Sequence, residues 1–120
     1  MRSRVNLMTH YTDNLLIKKI GNEKVYITQF RGRIMVRQSD LTKFTEKVSR
    51  MTDFIKRFAD EKRYIAVTKE GITISRRNLY MPKDRFIETL ETFGKQEDER
   101  VEKLIKYLKR IKEIKGVKHG

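Results

Sequence analysis

Three aromatic rings lie among arginines in two short segments of the chain. Tyr26 and Phe30 stand close to Arg31, Arg33 and Arg37, with Met35 among them, and Tyr64 is followed by Arg76 and Arg77. Rings and guanidinium groups are poorly suited to proton transfer at neutral pH, but together they can stack and neutralise. An unpaired nucleobase offers a π face to a ring or to an arginine plane, and its phosphodiester accepts an arginine fork. Nine residues are therefore candidate contacts for a single strand: Tyr26, Phe30, Arg31, Arg33, Met35, Arg37, Tyr64, Arg76 and Arg77.

Residues for other chemistry are scarce. The chain has no Cys, which excludes disulfide frameworks, thiol catalysis and cysteine-ligated metals. His10 and His119 stand near opposite ends; His10 has the chemistry of a general base but no evident partner in sequence. Asp60-Glu61 and Glu97-Asp98-Glu99 are adjacent runs at expected helix ends, which suits solvated charge better than a converging metal site. Gly21, Gly32 and Gly71 are isolated, so no phosphate-cradling loop precedes a helix. The expectation is a binding protein rather than an enzyme, with no catalytic residue, metal or cofactor.

Charge points to the same partner class. Lys and Arg number 29 against 16 Asp and Glu, a net +13 over 120 residues. A heat-adapted surface would also be rich in charge, but it adds both signs together. Excess cation favours polyanions, with single-stranded DNA or RNA the expected partner; the alternative is a structural or interaction protein that docks an acidic partner and dimerises through its C-terminal helix. Residues 21–38 carry four cations and one acid, and so do residues 63–77, whereas residues 39–62 are nearly balanced with six and five. A duplex reader would instead need a helix or ribbon with base-reading side chains for the major groove. No apolar run approaches a membrane span, and no secretory leader is evident, so a soluble cytoplasmic protein is expected.

The elements that must hold these residues can be read from periodicity. Lys24–Phe30 and Arg33–Arg37 alternate around Arg31-Gly32, and Tyr64–Thr68 and Ile72–Arg76 around Lys69-Glu70-Gly71, which predicts two β-hairpins. Residues 15–20 suit a short strand or a helical turn. Leu41, Phe44, Val48, Met51, Ile55 and Phe58 recur at helical spacing and predict one helix over about 40–61, capped by Ser39 or Asp40. Pro82, Phe86, Leu90, Phe93 and Gly94 mark a second helix. The expected fold is α+β, an antiparallel sheet from two hairpins alternating with helices in the order ββαββα.

Alternation would place Val25, Ile27, Ile34, Val36, Ile65, Val67, Ile72 and Ile74 on one aliphatic face against the helices. Tyr26, Phe30, Arg33, Met35, Arg37, Tyr64 and Arg77 would then share the other face with threonines. The alternative is that these rings pack beneath the N-terminal segment or the last helix. Residues 1–94 would form the binding domain. Residues 95–120 carry Val101, Leu104, Leu108 and Ile111 at 3-4-3 spacing amid charge. That seam suits a zipper joining chains into a homo-oligomer, and equally a third helix packed on its own domain.

This layout, two hairpins alternating with helices, a basic aromatic surface and a zipper-like terminal helix, resembles the ThermoDBP family of archaeal single-stranded DNA-binding proteins. The resemblance covers most of the chain and rests on layout and composition, with no diagnostic motif. It implies sequence-independent binding of single strands in a basic cleft and assembly through the last helix. Gly71-Ile72-Thr73-Ile74 followed by Pro82–Phe93 also resembles the last strand and helix of single-strand-binding transcriptional coactivators, although here a long helix is expected to interrupt the sheet.

Overall fold

Two-residue turns set the hairpins. Arg31-Gly32 and Glu70-Gly71 both adopt positive φ at each central residue (53° and 79°, 54° and 81°), the handedness that matches the twist of the flanking strands. In the computed structural model, which describes residues 6–119, the first turn joins β3 (Glu23–Phe30) to β4 (Arg33–Arg37). The second joins β5 (Arg63–Lys69) to β6 (Ile72–Pro82). β1 (Asn6–Thr12), β2 (Leu15–Ile20) and β7 (Val117–His119) complete one seven-stranded sheet in the order β1-β5-β6-β4-β3-β2-β7.

The fold is α+β, but the sheet is mixed, which corrects the antiparallel expectation. β1 runs parallel to β5, and β7 runs parallel to β2. Both added strands are edge segments too short or too irregular to show a period in sequence. β7 is reached because Gln29 Oε1 accepts the Ile114 N–H at 2.9 Å and Gly116 C=O accepts the Leu15 N–H at 3.0 Å.

The single helix over 40–61 does not form. A 3-10 segment, Gln38–Lys43, is followed by an extended stretch, then α1 (Ser49–Lys56) and a further 3-10 turn, Ala59–Glu61. Backbone pairing decides the break. Thr45 bridges Gly94, the Glu46 N–H donates to Phe93 C=O, and the Lys95 N–H donates to Phe44 C=O. The helical stripe survives in part: Leu41, Phe44, Met51 and Phe58 are buried, whereas Val48 is exposed. α2 (Lys83–Phe93) follows β6, with Pro82 as its N-cap residue rather than its first turn.

α3 (Glu99–Arg110) begins where the Asp98 carboxylate accepts the Arg100 N–H at 3.0 Å. Its seam is not free. Val101, Leu104 and Leu108 are buried and Ile111 is partly buried, all in the core that contains Ile20, Val25, Ile27, Phe86 and Leu90. Each buried aliphatic stabilises by about 1.5–3 kcal/mol, so presenting this seam to a second chain would dismantle the protomer. Of the two arrangements the spacing allowed, the packed third helix is the one present, and Val101, Leu104, Leu108 and Ile114 belong to the same core as the strands and α2.

The sheet curls strongly. Val67 of β5 packs with Leu15 and Ile17 of β2, although three strands separate them in the sheet. Asn14 pins the curl: its Nδ2 donates to Gln29 C=O at 3.0 Å, and its Oδ1 accepts from the Gln29 N–H and the Thr28 hydroxyl. The helices cover the convex face, while the concave face encloses two smaller clusters, Leu15, Ile17 and Val67, and Met35, Ile65 and Tyr80.

Candidate nucleic-acid interface

Curling a two-sided sheet separates the residues that alternation grouped. Ile65 packs with Met35 and Tyr80 on the concave face, so its neighbour Tyr64 points to the convex one. The aliphatic face is corrected accordingly. Val25, Ile27, Ile34 and Val36 face the helices, Ile65 and Val67 face the concavity, and Ile72 and Ile74 are 67% and 45% exposed. Two irregularities in the β5–β6 ladder, between Ile65 and Val67 and between Val67 and Thr68, shift the phase of the second hairpin.

Each candidate ring nevertheless meets one of the candidate arginines. The guanidinium carbon lies 3.8 Å from the ring centroid for Arg37 over Tyr26, 4.3 Å for Arg77 over Tyr64 and 4.9 Å for Arg31 over Phe30. The rings are half-buried rather than sealed. They form two groups instead of one panel: Tyr26 and Phe30 both pack against the concave Met35, Ile65 and Tyr80 cluster, Phe30 with the His10 ring 4.7 Å away, and Tyr64 is on the opposite face.

Two candidates are engaged within the fold. Met35 is 2% exposed, enclosed with Ile65 and Tyr80. Arg33 is exposed but bonded, its Nη2 3.2 Å from Glu61, which also accepts from Arg85. Those arginines, Arg85 foremost, hold the Glu61 carboxyl below its ordinary value.

One cleft brings together three of the nine candidates, Tyr26, Arg37 and Arg76, while Phe30, Arg31, Tyr64 and Arg77 lie outside it. About 620 Å³ of space lies between the β2–β7 edge and the start of β6, with Tyr26, Arg37 and Arg76 among its walls. Lys24 adds a further cation, and Leu15, Ile17, Ile74 and Val117 supply apolar surface. Among the described residues no acid lines it. The volume falls in the range of small-ligand clefts, about 300–1,000 Å³.

Sequence reasoning missed the residue that organises this cleft. Asp40, fully buried, accepts the Tyr26 backbone N–H at 2.9 Å just where β4 leaves β3. It also accepts from Arg37 Nη2 at 2.7 Å and lies 2.9 Å from Lys43 Nζ. Burial alone would lower the Arg37 pKa, but the Asp40 hydrogen bond and charge override it and leave it raised. The local signal was Arg37-x-x-Asp40 at the end of a strand, which reads equally well as a helix cap.

Among the described residues no three His, Asp or Glu side chains converge as a metal site would need. No described helix is long and apolar enough to cross a membrane. The chain matches no protein-family profile, and no curated protein or solved structure matches it at a significant level.

Proposed function

We propose that the chain binds single-stranded nucleic acid without strong sequence preference, using the concave cleft. The observation that carries this reading is the meeting of Tyr26, Arg37, Arg76 and Lys24 around one space that no described acid lines. Because Arg37 already covers one face of Tyr26, an entering base meets a guanidinium plane backed by a ring. Such planes stack on any base, which makes binding tolerant of sequence. Arg76 and Lys24, both exposed, neutralise the phosphates on either side. Sequence-independent single-strand binding is also what the resemblance to the ThermoDBP family implies.

The deciding experiment is a titration of labelled single-stranded DNA, single-stranded RNA and duplex at two salt concentrations. Tighter binding of a single strand than of duplex, weakening with salt, supports the reading. Equal affinity for duplex overturns it. A second reading, a module that docks a protein partner, draws on exposed Ile72 and Ile74 at the tip of the β5–β6 hairpin. On that reading the same titration shows no preference for a single strand over duplex.

A further inference from the structure

Several arginines and lysines of this chain are answered by an acid. Arg33 and Arg85 share Glu61, Arg37 and Lys43 share Asp40, and Arg100 holds Asp98 with Glu23 nearby. Lys109 reaches Glu91, and Lys115 reaches Glu113. One dense cluster of cations differs from these. Between the β2–β3 turn and α3 lies a cleft of about 330 Å³ walled by Lys18, Lys19, Lys103, Lys106 and Arg110, with Tyr107 in its side. Among the described residues no acid lines it, and none of the five cations makes an ion pair. Lys18 Nζ instead sits 4.6 Å from the Tyr107 ring centroid.

A second feature makes the cluster more than a solvated helix face. Lys19 is the cross-strand partner of Lys24 in the β2–β3 ladder. Like charges directly opposite one another destabilise a ladder, and neither lysine makes an ion pair among the described residues. Lys24 lines the concave cleft and Lys19 lines this one, so the pair joins the two basic clefts around the end of the hairpin. A polyanion laid across that end would relieve the repulsion.

We infer that the α3 cleft is a second phosphate-binding station on one continuous strand track, running from the concave cleft past the Lys24–Lys19 pair to Lys103, Lys106 and Arg110. This inference rests on the single-strand reading of the concave cleft and assigns where a longer strand continues. Lysines act there as point charges for the phosphodiester, and Tyr107 offers a ring edge beside them. Short strands fill the concave cleft alone. Longer strands engage both stations and release more counterions on binding.

The test compares labelled oligothymidylates of about 4 and about 16 nucleotides, the ends of the range of site sizes for small single-strand-binding folds. The variant is Lys103→Gln/Lys106→Gln/Arg110→Gln, three exposed positions, with its thermal melt recorded to show that the fold is kept. For the long strand, the log–log salt slope should become shallower by up to about 2, at about 0.7 for each phosphate left without its cation, while the short strand is unaffected. A control variant, Lys109→Gln/Lys115→Gln, removes cations that are already paired and should leave the slope unchanged. An unchanged long-strand slope in the triple variant overturns this inference and leaves the concave cleft standing. An equal reduction in the control overturns it too, since net charge would then explain the effect. Failure of the wild-type chain to bind either strand removes the parent reading as well. Preferential capture of phosphatidylserine vesicles, lost in the triple variant, would assign the cluster to a membrane surface and overturn it.

Discussion

The Arg37 guanidinium lies 3.8 Å from the Tyr26 ring centroid while the Asp40 carboxylate accepts both from Arg37 and from the Tyr26 backbone N–H. The three residues close a loop in which strand end, ring and guanidinium fix one another. A long arginine side chain ordinarily loses rotamer entropy, up to about 2 kcal/mol, when a ligand immobilises it. Here that ordering is done by the fold, so the plane is in place before anything enters the cleft.

Replacing Asp40 by Asn keeps the shape but removes the charge. The Arg37 and Lys43 side chains retain 18% and 27% exposure, so the released cations reach water and the penalty stays below that of a sealed ion pair. A loss of about 1–3 kcal/mol is expected, since a charge-assisted hydrogen bond is worth about 1.5–3 kcal/mol. Thermal unfolding should show the melting temperature falling and strand affinity falling with it, because Arg37 is no longer held. An Asp40→Asn chain that melts like the parent would contradict the role assigned to this carboxylate.

Gly94 is needed for space rather than for an unusual dihedral. A Cβ there would lie 2.5 Å from the Leu90 carbonyl oxygen and 2.8 Å from Val101 Cγ1, at the point where α2 ends, Thr45 bridges and α3 packs. Backbone on one side and a buried valine on the other leave little room to yield. Gly94→Ala should therefore destabilise by about 1–3 kcal/mol, the usual cost of overpacking, and chemical denaturation reads it directly.

What the sequence could show follows from which interactions are local. Both hairpins were legible, because alternation and a Gly in a two-residue turn are short-range signals; so was the end of α2 at Gly94. The break after Lys43 was not, because it depends on pairing of residues 44–46 with residues 93–95, far along the chain. Nor was the face assignment of the second hairpin. Alternation tells which residues share a face, but a sheet buried on both sides gives no sign of which face a given hairpin turns inward, and the irregularities in the β5–β6 ladder reset the phase. Residue type and proximity single out the candidate arginines. Whether each meets an acid, as Arg33 does, or lines an open cleft, as Arg76 does, is a tertiary fact.

Arg76 and Arg33 thus make an informative pair. Both are exposed, but only Arg76 borders the concave cleft, whereas Arg33 is bonded to Glu61. Arg76→Ala should flatten the log–log salt slope for a single strand by about 0.7, the share of one neutralised phosphate. Arg33→Ala should leave that slope intact and lower stability by about 0–1 kcal/mol, the range for an exposed ion pair. Equal slopes for the two variants would place the strand elsewhere.

Acid should weaken the fold in two steps. Burial lowers the His10 pKa below 6.5, helped by the Arg31 and Arg63 charges, so the folded chain resists the proton that the unfolded chain accepts. Its contribution is complete above about pH 6.5, the unfolded value, and is lost as pH falls through the lower folded value. Glu61 and Asp98 are depressed by their hydrogen bonds to Arg85 and Arg100, so their contributions are present above ordinary carboxylate values and vanish below them. Urea denaturation from pH 7.5 down to about pH 5.5 isolates the first step, because the carboxylates stay ionised there. His10→Gln should remove that step while keeping the one at lower pH. A variant whose stability still falls across this window would mean that another group takes up the proton.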